Sequence, residues 1–315
     1  MLPIISFTNV CKSINNKSIL KDISFDIYEN EIFGIIGSSG AGKTTLLRTM
    51  IGFYNITKGN INYKNSSITH NIKKIRKVFG FASQENCVYD KLTAMENINY
   101  FGKLHQLSNR AIKHNSEKLL KMLELYDSRD ILAENLSGGM KRRLDLACAL
   151  IHNPEILIMD EPTTSLDPVL RKHMINLIKL INESNTTIII SSHLLEDIEH
   201  LCSRVGIISK GKLLVAGTPA QLKNMYSRNE EILLETHPGR YNEIIGYLRA
   251  MNLPITYYTN KGHVLVIYTP QAEVVLHHIL HLLEKMKEKL IDVDVNKPSL
   301  NEVFEAFTRQ EKDDK

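Results

Sequence analysis

The sequence predicts an α/β protein: a parallel sheet with helices on both faces, followed by a smaller α+β domain. Three observations predict it. Residues 31–37 form a continuous apolar run, as a strand buried on both faces requires, and residues 156–159, 187–191 and 205–209 repeat it with helical stretches between. The first run opens directly into Gly37-Ser38-Ser39-Gly40-Ala41-Gly42-Lys43-Thr44 and then a helical pattern carried by Leu46, Leu47, Met50 and Ile51. From residue 228 the pattern restarts as strand, helix, strand, strand, helix, strand.

Ahead of the core, residues 4–10 and 19–28 read as strands, the second alternating Ile23, Phe25 and Ile27 against polar neighbours. Residues from about 85 to 152 read mostly as helices. In the last part, strands are expected at 232–236, 255–258, 263–268 and 290–295, and helices at 240–251 and 271–288, with a turn at 259–262. That order is the ferredoxin-like arrangement. A final helix over 299–309 opens on Ser299, with Glu302 three residues later as in a capping box. Two domains follow, residues 1–227 and residues 228–315.

With 315 residues, 43% hydrophobic and 23% charged, the chain has the material for an ordinary globular core. No apolar run approaches the roughly 18–20 residues of a membrane-spanning helix, and the first residues lack a signal-peptide pattern. Cys11, Cys87, Cys148 and Cys202 form neither a CxxC pair nor a zinc spacing, so reduced thiols are expected. Residues 1–227 carry 28 basic against 21 acidic side chains, and residues 228–315 carry 11 against 14. A mildly basic first part suits a polyphosphate ligand, and neither part has the positive stripe of a nucleic-acid binder.

The segment Gly37–Thr44 matches G-x-x-x-x-G-K-[ST] between a buried strand and a helix, the context the P-loop requires. Glycines let the backbone curl so that successive N–H groups face phosphates, and the helix start adds its positive end. Lys43 would bridge the β- and γ-phosphates, and Thr44 would ligate Mg²⁺. Residues 156–161 end a buried strand in Asp160 and Glu161, a Walker B pair. Asp160 would order the magnesium shell, and Glu161 would orient or deprotonate the attacking water.

Leu136-Ser137-Gly138-Gly139-Met140 completes the set, with Gln84 before it, Ser165-Leu166-Asp167 after Glu161, and His193 after the strand at 187–191. Over roughly residues 4–227 the chain resembles ATP-binding cassette (ABC) ATPases, with the motifs in that family's order. The resemblance implies a P-loop NTPase cassette with an N-terminal antiparallel β part, a parallel core and a helical subdomain at about 85–152. It implies ATP and Mg²⁺ as cofactors, bound by Gly37, Ser38, Ser39, Gly40, Ala41, Gly42, Lys43, Thr44 and Thr45, with Thr44, Gln84 and Asp160 around the metal. Glu161, His193, Gln84 and Lys43 form the implied catalytic set. Two cassettes would face each other, so that Ser137, Gly138 and Gly139 meet the γ-phosphate bound by the other copy, with Asp167 at the seam. Two residues depart from the usual pattern: Ile14 stands where an aromatic side chain stacks on adenine, and Met140 replaces the commoner glutamine.

Residues 140–144 (Met-Lys-Arg-Arg-Leu), 192–199, 217–219 and 298–304 resemble the ATP-binding subunits of drug-resistance-type exporters. That implies a homodimer on the cytoplasmic face of the cell membrane, with a separate transmembrane permease received at Gln84 and residues 94–106. An importer subunit and a soluble non-transport cassette ATPase are the alternatives. Importers often append all-β domains, and soluble members pair or split their cassettes, whereas this cassette is unbroken and its extension reads as mixed α/β. The basic run at 73–77 reads as a solvated face. His277 and His281 read as flanks of a helix whose core stripe is Leu276, Ile279, Leu280 and Leu283, and Tyr257-Tyr258 as strand packing.

Overall fold

Alternating and continuous apolar strands divide the work as their burial requires. The computed structural model describes residues 2–68, 75, 77–85, 87–164, 166–226, 230–296 and 299–304. Most of the basic run at 73–77, together with Ser165, lies outside them. The chain divides into two units, Met1–Pro219 and Ala220–Lys315.

In the first unit, β1 (Pro3–Ile14) and β2 (Lys17–Tyr28) pair antiparallel, and β4 (Lys58–Tyr63) and β5 (Ser66–Ser67) extend that sheet in the order β2-β1-β4-β5. A second sheet joins β3 (Ile32–Ile36), β6 (Phe79–Ala82), β7 (Ile156–Asp160), β8 (Thr187–Ser192), β9 (Arg204–Ser209) and β10 (Lys212–Gly217) in the order β10-β9-β3-β8-β7-β6. All its pairs are parallel except that of β10, an antiparallel edge strand. Every residue of β3, β7 and β8 is buried, as the unbroken apolar runs require. Phe25 joins the two sheets, stacking on Phe7 at 4.4 Å and on Phe33 at 5.2 Å. β4, β5, β6 and β10 are not among the expected strands.

Helix α1 (Lys43–Met50) follows β3 across the glycine loop, burying Leu46, Leu47 and Met50. The helical stretch comprises α2 (Ala94–Leu104), α3 (Asn109–Met122) and α4 (Gly138–Leu150). Thr93 and Glu96 form a capping box on α2, and Ser108 and Ser137 cap α3 and α4. Helices α5 (Pro168–Glu183) and α6 (Leu195–Leu201) connect the remaining core strands.

Beyond α7 (Pro219–Tyr226), the second unit runs β11 (Glu230–His237), α8 (Tyr241–Ala250), β12 (Tyr257–Asn260), β13 (Leu265–Thr269), α9 (Ala272–Met286) and β14 (Lys289–Asn296). Its sheet has the order β12-β13-β11-β14, antiparallel throughout. Ile232, Leu234, Leu265 and Ile267 meet Ile244, Leu248, Val275 and Ile279 in its core. The buried stripe of α9 is Val275, Ile279, Leu282 and Leu283, whereas Leu280 is exposed, so the expected stripe is shifted around the helix. Tyr258 packs on the core and Tyr257 faces solvent. Ser299 and Glu302 exchange main-chain to side-chain hydrogen bonds at 2.7 and 3.3 Å, the expected capping box. Among the described residues no helix is long and apolar enough to cross a membrane, and no group of three or more His, Cys, Asp or Glu side chains is arranged to hold a metal ion.

Candidate active site

The glycine loop after β3 is held in a conformation that side chains resist. Gly40 and Gly42 have φ of 77° and 109°, and Gly42 caps α1. A Cβ on Gly37 would lie 2.4 Å from the Ile208 carbonyl oxygen, so only glycine lets the loop leave the sheet beside β9. Lys43 Nζ, on the first turn of α1, donates to the Gly37 carbonyl at 2.9 Å and approaches the Glu161 carboxylate at 3.5 Å.

Glu161 follows β7 at a φ of 50°, unusual for a side-chain-bearing residue. Its N–H is fixed by the Ser191 carbonyl and hydroxyl, both at 3.1 Å, so β8 holds the strained position. One oxygen of its carboxylate accepts from Thr164 Oγ1 at 2.8 Å and lies 2.5 Å from His193 Nδ1. Burial pushes this carboxyl up, but the Thr164 hydroxyl, His193 and Lys43 together hold it below the ordinary range. Asp160, just before it, is buried and accepts from the Ser191 hydroxyl.

These residues face a cleft of about 520 Å³ lined by Ser39, Gly40, Gly42, Lys43, Thr44, Thr45, Gln84, Glu161 and His193, with Ile19 and Thr164 completing it. The structure thus gathers most of the expected nucleotide set on one face. Gly37 and Ser38 contribute carbonyls behind the loop, and Ala41 is buried there. Ser137, Gly138, Gly139 and Asp167 do not line the cleft. Ser137 caps α4 through the Met140 N–H, and Asp167 caps α5 through the Val169 and Leu170 N–H groups.

Three contributors have no signal in the motif pattern. Ile19 lines the cleft, whereas half-buried Ile14, at the expected adenine position, pairs with Lys17 at the end of β1. Ser191, whose hydroxyl donates to the Asp160 carboxylate and accepts the Glu161 N–H, reads in sequence only as part of a strand. Arg142 reaches the main-chain carbonyls of the cleft residues Gln84 and Glu161 from behind. The donor set suits Mg²⁺-ATP: Thr44 and Gln84 line the cleft with hard oxygen donors, Asp160 is buried just outside the lining on the Ser191 hydroxyl, and Lys43 stands in the glycine cradle.

Comparison with known proteins agrees with this geometry. The family profile described as ABC transporter matches residues 20–164. The linearmycin resistance ATP-binding protein LnrL of Bacillus subtilis is 32% identical over 312 residues, covering 95% of this chain and 96% of that protein. The Nod factor export ATP-binding protein I of Rhizobium sp. is 31% identical over 312 residues, covering 98% and 97% respectively. In fold, the structure of cbiO1 from Clostridium perfringens, part of the ABC transporter complex cbiONQ, matches 80% of this chain and 96% of its own at a TM-score of 0.65 and 24% identity. With relatives at this identity matched over nearly their whole length, the chain belongs to the ABC transporter family as one of its ATP-hydrolysing subunits.

Proposed function

We propose that the chain is the energy-coupling subunit of a membrane exporter: it binds Mg²⁺-ATP, closes on a second copy around the nucleotide, hydrolyses it and drives a separate transmembrane permease. The observation that carries this reading is the convergence of Lys43, Thr44, Gln84, Glu161 and His193 on one cleft, while Ser137, Gly138, Gly139 and Asp167 stand outside it. That segregation supports a site completed by the signature segment of another copy, so that the γ-phosphate bridges the two halves and its loss releases them.

In this reading Lys43 pairs with the β- and γ-phosphates, and Gln84 and Glu161 orient water, Glu161 taking its proton as the new O–P bond forms and ADP leaves. His193 Nδ1 and Thr164 Oγ1 fix the carboxylate for that task. Thr44, Gln84 and Asp160 would hold Mg²⁺, which when bound neutralises charge developing on the phosphates. The export direction is supported by relatives with export and resistance in their names. Gln84 and residues 94–106 would receive the permease on the cytoplasmic face of the membrane. Residues 1–227 would form the cassette and residues 228–315 a ferredoxin-like accessory domain; the antiparallel order β12-β13-β11-β14 supports that assignment and disfavours an importer's all-β extension.

The test uses tagged Glu161→Gln protein, extracted gently from native membranes with Mg²⁺-ATP. A stoichiometric multi-span membrane protein recovered with it is the expected outcome. Recovery only with ribosomes, with DNA or alone would overturn the exporter reading and leave the ATPase standing.

A further inference from the structure

One face of α4 spends its polar groups on main chain. Arg142 is only 8% exposed. Its Nη1 donates to the carbonyls of Ser83 and Gln84, its Nη2 to those of Asp160 at 3.2 Å and Glu161 at 3.3 Å, and its Nε to that of Pro162 at 3.4 Å. Nearly one turn along the helix, Asp145 accepts the Cys87 N–H at 2.9 Å. Helix α4 therefore grips the loop after β6 at two points, Ser83-Gln84 and Cys87, and the same guanidinium grips the chain leaving β7. Gln84 and Glu161 line the cleft, and their carbonyls accept from Arg142.

The chemistry of the side chain suits this bridge. Guanidinium is a rigid plane with five N–H donors spread around its edge, so it can serve carbonyls from two segments at once. Lysine offers three donors at a single point and cannot span both. Arg142 is not itself part of the cleft lining, so what it controls is the placement of groups that are.

We propose that Arg142 is a positioning residue for hydrolysis: from the helix that begins at the signature segment, it sets the backbone of Gln84 and Glu161 together. The proposal rests on the water-orienting roles proposed above for those two residues. Its consequence is mechanical. A shift of α4 when Ser137–Gly139 engage a nucleotide reaches both water-orienting residues through one side chain, whereas binding at the glycine loop is left untouched.

The test compares wild type with Arg142→Gln, Arg142→Lys and Glu161→Gln in the full-length chain. Steady-state Mg²⁺-ATP hydrolysis is normalised to binding sites titrated with a fluorescent ATP analogue, whose Kd is measured alongside. The expected result is a kcat per site lowered roughly 10- to 100-fold in Arg142→Gln, the scale of a small misplacement at a reacting centre. KM and Kd should stay within about threefold. Arg142→Lys, which keeps the buried charge and the aliphatic stem, should still fall by about fivefold or more, because it lacks the fork. A residue that only supports the fold would lower the melting temperature and the number of sites but leave kcat per site unchanged, and that outcome overturns the proposal. So does a wild-type kcat in Arg142→Lys, the variant that carries the test if Arg142→Gln does not fold. Turnover surviving in Glu161→Gln would instead overturn the underlying site assignment and this proposal with it; loss there with normal turnover in the Arg142 variants overturns the positioning role alone.

Discussion

Replacing Asp145 with asparagine is expected to stabilise the protein at neutral pH and leave it unchanged in acid. The Asp145 side chain is 3% exposed, and one of its oxygens has no hydrogen-bond partner. Burial pushes its carboxyl up from 3.8 to about 6, against the opposing pull of the Cys87 N–H and of Arg142, whose Nη1 is 3.9 Å away. A rise of that size corresponds to about 3 kcal/mol at 1.36 kcal/mol per pH unit. The sign follows from proton binding. Through this window the native state holds the Asp145 proton more tightly than the unfolded chain does, so the contribution to stability falls as pH rises from about 4 to about 6. Asparagine keeps the acceptor for Cys87 and never ionises. Its advantage over wild type should be near zero at pH 4 and grow to between roughly 1 and 3 kcal/mol by pH 7, the lower figure allowing for an amide left without a partner.

The chain has no tryptophan, so urea unfolding followed by far-UV circular dichroism is the assay, with both proteins compared at pH 4.5, 5.5, 6.5 and 7.5. Taking the difference between the two removes every other titrating carboxylate. An advantage that does not change with pH, or a variant less stable than wild type at pH 7.5, would refute the reasoning and mean that the Asp145–Arg142 attraction outweighs desolvation.

Other perturbations test separate parts of the structure. Gly211 has a φ of 81°, and a Cβ there would lie 2.0 Å from the Ile19 carbonyl oxygen. Gly211→Ala should therefore cost at least about 1–2 kcal/mol in thermal unfolding and, by displacing Ile19, weaken nucleotide binding measured by fluorescence titration. Thr164→Val removes a hydrogen bond that helps hold Glu161 below the ordinary carboxylate range, so the acid limb of the hydrolysis profile should move to higher pH; an unmoved limb counts against Glu161 as the titrating base. In the second unit, the Tyr241 hydroxyl accepts from the Thr236 N–H at 3.1 Å and donates to the His263 carbonyl at 2.7 Å. Tyr241→Phe should cost about 1–3 kcal/mol in urea unfolding, with ATP hydrolysis unchanged.

Much of this architecture is legible in the sequence because the signals are local. Buried parallel strands announce themselves as unbroken apolar runs, and phosphate chemistry limits which residues can stand at 37–44 and 160–161. The strands that escape notice carry weak local signals. Residues Lys58–Tyr63 contain glycine and asparagines where strands favour branched side chains, and Phe79–Ala82 is only a four-residue strand interrupted by Gly80. Strand β12 begins at Tyr257, after the expected start at 255: Pro254 bars a ladder donor, and Ile255 packs on the core outside the strand. The adenine position at Ile14 is implied by aligning residues 12–14 with the family's pattern ahead of the second strand. That alignment does not reveal that the hairpin from Lys17 brings Ile19 to the cleft.

The same contrast explains why the supporting residues are harder to read than those that meet phosphate. A residue that touches phosphate, metal or water is constrained by charge and reach, and so its identity and its spacing from other motif residues carry information. A residue that positions such a group is constrained only by where distant carbonyls fall in the folded chain. The carbonyls that Arg142 serves are 18 to 59 residues away along the sequence, and the Ser191 that fixes Glu161 is 30 away. No local pattern distinguishes such an arginine from a solvated one on a helix. The distinction is made by burial: a fully formed guanidinium enclosed among carbonyls offsets its desolvation only if nearly every donor is used. Removing one carbonyl partner therefore disturbs the rest. That sensitivity is what would allow one buried side chain to move two parts of an active site together.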